Sequence, residues 1–522
     1  MAIDRALAAA LLAGGIAAGP ARAEAPMSAI DWLSSSVSVG YQRGSDAVLP
    51  PVPGETPATG TGPVEQVAID SLDRPTADAL GLIPAARLGL PPALWGATPE
   101  LVLAAALRKE RLDTLPSVQG FLLELMLAEL DPPQNRAPGG NEMLFLARID
   151  RLLDLGALEQ AMALLEEADA DDAEIFRRRF DVALLLGQED HACEIMEKSP
   201  TVAPSFPARI FCLARRGDWE AAALALSTGR ALGQIEPDKA DLLERFLDPA
   251  LAEDVPDLPL PSRPSPLTFR LMEAIGQPMA TTTLPVAFAQ ADLRSNSGWK
   301  AQLEAAERLA KMGVLDPNQL FGLYTQERAS ASGGVWDRVS LISDLDAALT
   351  SGRSARVAQL LPQAWEAMQA QELEAPFAAL AAPRLAGLDL GSAAPLAFRL
   401  ALLTSDFETA ALTPPDRAPE TLFLAALARG NTAAAASSDA QGMMLKRVFD
   451  TPPADQPVPE AYAALLPDRL GEAILSAIDD ISEGAKGDPR RVEAGLSLLR
   501  KVGMESLARR TALELMILER RG

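Results

Sequence analysis

Residues 142–232 constrain the fold most, because an apolar helical pattern, a glycine and a second apolar helical pattern recur there three times. The glycines are 31 and 30 residues apart, and an alanine follows each one five residues later. The pairs are Gly156 with Ala161, Gly187 with Ala192, and Gly217 with Ala222. A helix that reverses within a few residues usually ends on a left-handed residue, which glycine adopts without a Cβ clash, and alanine lets the returning helix pack closely. This period predicts an array of helix hairpins that bury their apolar faces by stacking.

The same pairing recurs in the last quarter of the sequence. Its members are Gly430 with Ala435, Gly503 with Ala508, and Ser405 with Ala410, where serine replaces glycine. Hydrophobic residues make up 48% of the chain but aromatic residues only 5%, a composition that favours helices over strands. We therefore predict an all-α fold, an α-solenoid of antiparallel helix hairpins.

Two of these turns carry a more specific motif. Residues 217–222 read Gly-Asp-Trp-Glu-Ala-Ala, and residues 405–410 read Ser-Asp-Phe-Glu-Thr-Ala. Both resemble the turn of a tetratricopeptide repeat, in which Trp219 or Phe407 would be the aromatic turn residue. The resemblance implies a right-handed superhelix whose concave face binds peptides or proteins and performs no chemistry.

Residues 1–23 have the pattern of a secretory signal peptide. Arg5 precedes an apolar run over 6–18, and Ala21-Arg22-Ala23 forms a small-x-small cleavage site. We expect cleavage after Ala23 and export to the periplasm of a Gram-negative bacterium. An uncleaved anchor is the alternative, although the apolar run is shorter than the roughly 20 residues of a spanning helix. No direct membrane insertion is expected after cleavage.

Residues 24–98 are rich in proline and glycine and predict a tether in front of the helices. Two short apolar islands interrupt it, one with Ile30, Trp32 and Leu33, the other with Leu94 and Trp95. Tryptophan in a flexible segment often marks a docking motif, so these five residues are candidates for contact with a partner. The alternative is that each island packs onto the protein's own helices.

Helical periodicity begins at Pro99 and predicts a first repeat array over 99–250. A proline-rich run then predicts an extended connector over 251–266. A second, less regular repeat array is expected over 267–522. Thus two helical blocks built from one type of hairpin follow the tether.

Cys193 and Cys212 lie almost symmetrically about the loop 200–207, on the helix before it and the helix after it. Residues equidistant from a turn can face each other in a helix pair, and an exported chain meets an oxidising compartment. A disulfide is therefore a candidate, and two buried thiols that act as small apolar side chains are the alternative.

The sequence contains no recognisable catalytic, cofactor or metal motif. His191 is the single histidine, which excludes a histidine-rich metal site, and we expect it at the surface. The acidic cluster over 166–172 lacks the calcium-loop frame. A net charge of −24 disfavours nucleic acids and anionic membranes.

The expected function is a non-enzymatic scaffold or adaptor that binds protein partners of the cell envelope. A periplasmic chaperone would share the architecture and differ in forming transient complexes. The enzymatic alternative is a murein lytic transglycosylase, since one branch of that class joins a helical superhelix to a domain with one catalytic glutamate. Glu505-Ser506 is the only suggestive dipeptide, and too little sequence follows it to form a catalytic domain.

Overall fold

The computed structural model describes residues 76–136, 142–169, 171–252, 256–437 and 439–518. The predicted signal peptide, its cleavage point and the island with Ile30, Trp32 and Leu33 lie outside these ranges. The described chain is all-α, as predicted, with 24 α-helices. They are α1 (Glu100–Lys109), α2 (Pro116–Met126), α3 (Met143–Leu155), α4 (Leu158–Glu166), α5 (Ala173–Leu186), α6 (Glu189–Lys198), α7 (Phe206–Arg215), α8 (Trp219–Ala231), α9 (Pro237–Leu247), α10 (Pro266–Ala274), α11 (Ala289–Asp292), α12 (Trp299–Lys311), α13 (Pro317–Thr325), α14 (Val335–Thr350), α15 (Ser354–Gln369), α16 (Glu374–Leu385), α17 (Ala394–Leu402), α18 (Phe407–Ala410), α19 (Pro419–Ala428), α20 (Ala440–Asp450), α21 (Glu460–Ala463), α22 (Leu470–Gly484), α23 (Pro489–Lys501) and α24 (Glu505–Ile517).

Strand structure in the described chain is confined to one two-residue parallel pair. β1 (Ile83–Pro84) pairs with β2 (Ala128–Glu129), with Ile83 opposite Ala128. Gly81 precedes this pair, and a Cβ placed there would lie 2.2 Å from the backbone nitrogen of Glu129. The close backbone approach therefore requires glycine at this position.

The turns of residues 142–232 have the geometry of glycine-terminated helices. Gly156, Gly187 and Gly217 follow α3, α5 and α7 with φ of 78°, 75° and 84°. The alanines that follow them are buried in α4, α6 and α8: Ala161, Ala192 and Ala222. Each glycine thus reverses the chain into a helix that packs on the preceding one.

The later pairs do not all behave in this way. Gly503 has φ of 91° and leads into α24, where Ala508 is buried. Gly430 also ends a helix, with φ of 72°, but Ala435 lies in an irregular segment and α20 begins only at Ala440. The start is set by Asp439, whose side chain accepts a hydrogen bond from Gly442 N at 2.7 Å and caps the helix.

The pair of Ser405 and Ala410 also departs from the predicted hairpin. The second helix there, α18, is a single turn that ends at Ala410. Phe407 is buried as the motif implies, whereas Ser405 is exposed. This copy of the motif is therefore a short helical turn.

The tether predicted for 24–98 does not extend over its last residues, because 76–98 are part of the fold. Trp95 is only 1% exposed, and its ring lies where a Cβ on Gly471 would come within 2.5 Å. Gly471 N donates to Leu94 O at 2.9 Å, and Ala97 N donates to Asp468 O at 2.9 Å. Leu94 and Trp95 are buried against the start of α22, so they are not free for a partner.

The two arrays predicted on either side of residues 251–266 share one core. Residues 256–265 are irregular, but Leu258 packs on the core and its N–H donates to Gln277 Oε1 at 3.1 Å. Helices α10 and α11 then pack on α5 of the first array. One contiguous apolar cluster accordingly runs from Ala77 to Leu518.

The two ends of the described chain are in contact. Helix α2 packs against α24, and Ser117 donates from its backbone N and its Oγ to the buried Glu514 at 2.7–2.9 Å. A carboxylate 397 residues away thus caps the N-terminus of α2. Arg111 also pairs with Glu483 of α22 at 2.8 Å. In a simple linear array each hairpin contacts only its neighbours, so these contacts go beyond that arrangement.

Candidate functional site

The surface that the fold leaves unpartnered most clearly is one side of α8. The side chain of Asp218 accepts a hydrogen bond from Ala221 N at 3.4 Å and caps this helix. Residues four apart on a helix form stripes, and two adjacent stripes of α8 are exposed along their whole length. We call this surface the α8 outer face, and its residues are Trp219, Ala223, Ser227 and Ala231 in one stripe and Glu220, Leu224, Thr228 and Leu232 in the other.

The α8 outer face is apolar or weakly polar throughout, with Glu220 as its single charge. Trp219 is 50% exposed, Leu224 is 69% exposed and Leu232 is 63% exposed. Scattered exposed leucines are ordinary on protein surfaces, whereas several large apolar side chains on one helical face form a patch typical of interaction sites. One of its eight residues is charged, against 23% of the whole chain.

The opposite face of α8 is the one that packs in the core. Ala222, Leu226 and Gly229 are buried there, facing α7 and α9. A Cβ on Gly229 would lie 2.6 Å from Ile235 Cδ1, so the backbone of α8 is held close to the loop before α9. The core contacts of α8 therefore involve only its opposite face, and the α8 outer face remains exposed to solvent.

A series of contacting aromatic rings connects Trp219 to the protein interior. Its ring centroid lies 6.4 Å from that of Phe246, which lies 5.8 Å from that of Phe211. Phe211 contacts Phe180 at 6.5 Å, and Phe180 contacts Phe176 at 6.4 Å. This series holds the half-exposed indole in place, and a rigid aromatic anchor loses little conformational entropy on binding.

Cys193 and Cys212 form a disulfide with an S–S distance of 1.94 Å and a Cα–Cα distance of 5.2 Å. It joins α6 to α7, and α7 packs directly on α8. In the chain-entropy model a crosslink of this span contributes about 3 kcal/mol. The support beneath the α8 outer face is therefore covalently braced.

Ion pairs occur on α8 itself and on the helices next to it in the chain. Arg230 contacts Asp241 at 3.0 Å and Glu244 at 3.1 Å, and Arg215 contacts Asp190 at 2.7 Å. These charges are solvent-exposed and paired with one another. An apolar surface with a polar border is the usual anatomy of a protein-protein interface.

Sequence reasoning assigned Trp219 a structural place in the repeat turn and missed its exposure. The reason is the composition of α8, in which apolar residues outnumber polar ones and are not confined to one side, a pattern that normally indicates a buried helix. The signal that could have been used is the near absence of charge from the two stripes. Which apolar stripe faces water depends on the neighbours of α8.

The side chains considered for chemistry do not converge. His191 is exposed, with Nε2 3.2 Å from Arg179 Nη2. Glu505 contacts Arg500 at 2.8 Å and Arg509 at 3.5 Å. In the ranges that the structure describes, no group of histidine, cysteine, aspartate and glutamate is placed to hold a metal ion.

The chain matches no protein-family model, no curated protein and no solved structure at a significant level. Among the described helices, none combines the length and the apolar composition needed to cross a membrane.

Proposed function

We propose that this protein is an exported, non-enzymatic helical-repeat scaffold that binds a protein partner of the cell envelope through the α8 outer face. The observation that carries the proposal is the exposure of Trp219, Leu224 and Leu232 on a face with one charge. Burial of such side chains contributes about 1.5–3 kcal/mol each. Tryptophan at a rigid position is also the residue most often found at binding hot spots.

We further propose that α3–α9 form a tetratricopeptide-like α-solenoid segment. The recurring left-handed glycines and buried alanines of its turns support this, together with packing of each helix on the next. In this proposal the signal peptide of residues 1–23 exports the chain to the periplasm, and the island with Ile30, Trp32 and Leu33 is a second docking candidate.

The shape of the α8 outer face favours an α-helix as the bound element. The 13 residues of α8 span about 20 Å, the length of a three-to-four-turn partner helix. Small side chains at Ala223, Ser227 and Ala231 permit close approach of a second helix, while Leu224 and Leu232 fill the grooves beside it. The expected partner element is an amphipathic helix that lays its apolar stripe on α8.

A periplasmic chaperone is the second candidate, because exposed apolar side chains also bind unfolded clients. The two functions differ in stoichiometry and lifetime. A scaffold holds one folded partner with a defined ratio, whereas a chaperone releases many clients once they fold.

Site-specific photocrosslinking in cells tests the proposal. A photoreactive amino acid at Leu224 is compared with one at Leu260, which is similarly exposed at 63% but lies in the connector. We expect one discrete partner crosslinked from position 224, lost in a Trp219→Ala background, and no such product from position 260. A smear of many products from position 224 supports the chaperone, and equal products from both positions contradict the use of α8.

Mutation of Glu505 tests the enzymatic alternative. If Glu505→Gln alone abolishes the cellular function while the protein stays folded and keeps its partner, the non-enzymatic proposal is wrong. We expect a change no larger than that caused by loss of its ion pairs with Arg500 and Arg509.

A further inference from the structure

A surface cleft of about 340 Å³ lies between α18, the C-terminal end of α19, and α24. We call it the α18–α24 cleft, and its lining residues are Glu408, Thr409, Leu412, Arg429 and Arg509. Its volume is at the lower end of the range found for small-ligand sites. It belongs to the C-terminal helices and involves none of the residues of the α8 outer face.

Arg509 is held in a fixed position at this cleft. Its Nη1 lies 2.8 Å from Glu408 Oε1 and donates to Ala428 O at 3.0 Å. The guanidinium also lies over the ring of Phe407, 5.7 Å from its centroid. Gly430 makes room for this arrangement, since a Cβ there would lie 3.0 Å from Arg509 Cδ. Arg509 is therefore the rigid wall of the cleft.

Arg429 differs from Arg509 in having no carboxylate partner among the residues that the structure describes. Its Nε donates to Ala425 O at 3.1 Å, which folds the side chain back along α19. It forms no ion pair with any residue in the described ranges. The two terminal nitrogens of its guanidinium thus remain available at the cleft.

Arg429 is the one charged side chain lining the cleft that has no ion pair with a described residue. Arg509 faces both Glu408 and Glu505, and Glu408 is paired with it at 2.8 Å. A guanidinium presents parallel N–H groups that match the two oxygens of a carboxylate, which makes arginine the preferred residue for carboxylate recognition. Beside Arg429, Leu412 is 67% exposed and offers an apolar surface in the same cleft.

We propose that the α18–α24 cleft binds a carboxylate that carries a neighbouring apolar group. Arg429 holds the carboxylate in a two-point hydrogen bond, and Leu412 covers the apolar group. The carboxylate has two sources with the same chemistry, the C-terminus of a polypeptide that ends in an apolar residue and a free small carboxylic acid.

Saturation-transfer NMR titrations of the full-length protein test this site. The probes are acetyl-leucine, its amide acetyl-leucinamide, and the tripeptide acetyl-Ala-Ala-Leu with a free C-terminus. We expect acetyl-leucine to bind with a dissociation constant on the order of millimolar, since so small a ligand has few contacts. The amide, which cannot accept the bidentate pair, should bind at least ten-fold more weakly.

Two variants locate the binding. Arg429→Gln should weaken acetyl-leucine at least ten-fold, whereas Arg328→Gln, an exposed arginine in the loop before α14, should leave it unchanged. A tripeptide that binds ten-fold tighter than acetyl-leucine identifies a polypeptide C-terminus as the source, and equal or weaker binding identifies the free acid. Absence of saturable binding, equal binding of the amide, or full binding to Arg429→Gln overturns the proposal.

Discussion

Replacing Glu110 with glutamine should stabilise the protein above neutral pH. Glu110 follows α1 and is buried beside Arg151 of α3, Lys109 and Asp479 of α22. Burial raises the pKa of its carboxyl to about 8 from an ordinary 4.5, although Arg151 and Lys109 oppose the shift and Asp479 adds to it. The carboxyl is thus mostly protonated in the native state at pH 7.

The sign and size of the effect follow from linkage. Between pH 4.5 and 8 the native state holds this proton and the unfolded chain releases it, so the free energy of unfolding falls as pH rises through that window. Each pKa unit is worth about 1.4 kcal/mol, which makes the penalty about 3 kcal/mol at pH 7 and small at pH 4.5. Glutamine cannot ionise, so Glu110→Gln removes this penalty.

Urea unfolding at pH 5, 7 and 8.5 measures the effect. We expect Glu110→Gln to be near the wild type at pH 5 and more stable by about 3 kcal/mol at pH 7, with a larger difference at pH 8.5. Glu159→Gln, at an exposed position of α4, is the matched control and should show no such trend. If Glu110→Gln has the same pH slope as the wild type, the burial argument is refuted.

Three further changes probe the scaffold. Gly156→Ala should lower the free energy of unfolding by about 2–3 kcal/mol, because the φ of Gly156 is 78° and the new Cβ would lie 2.8 Å from Leu309 Cδ2. Gly217→Ala should lower it by about 1 kcal/mol, because Gly217 has a similar φ of 84° but open space around the new Cβ. Urea or thermal unfolding measures both losses, and equal losses would contradict the steric argument. Replacing both Cys193 and Cys212 with alanine should lower the free energy of unfolding by about 3 kcal/mol, and the same loss should follow reduction of the wild type, as measured by urea titration with and without reductant. Glu514→Gln should cost about 1–3 kcal/mol and increase hydrogen exchange at the start of α2, which a change confined to α24 would not do.

Several helix ends could be predicted from the sequence, because the residues that terminate a helix act locally. Gly156, Gly187 and Gly217 end helices since a left-handed residue is needed at a tight reversal. That Cys193 and Cys212 face each other also follows from the sequence, because they lie almost equally far from the loop 200–207.

The errors arose where distant segments meet. For Trp95 the sequence left two interpretations open, docking on a partner and packing on the protein's own helices, and the space left by Gly471, far along the chain, decides for the second. Ala435 follows a glycine at the right spacing, yet the cap of Asp439 delays the next helix. No local sequence pattern predicts that Glu514 caps α2.

The sequence by itself therefore determined the all-α class and the glycine-terminated helix ends at Gly156, Gly187 and Gly217. The tertiary structure decided which apolar side chains stay in water and which charges stay unpaired, as at Leu224 and Arg429. The physical reason is the distance along the chain over which each interaction acts. Backbone preference and capping act within about one helical turn, whereas burial and ion pairing depend on neighbours that folding brings together from anywhere in the chain.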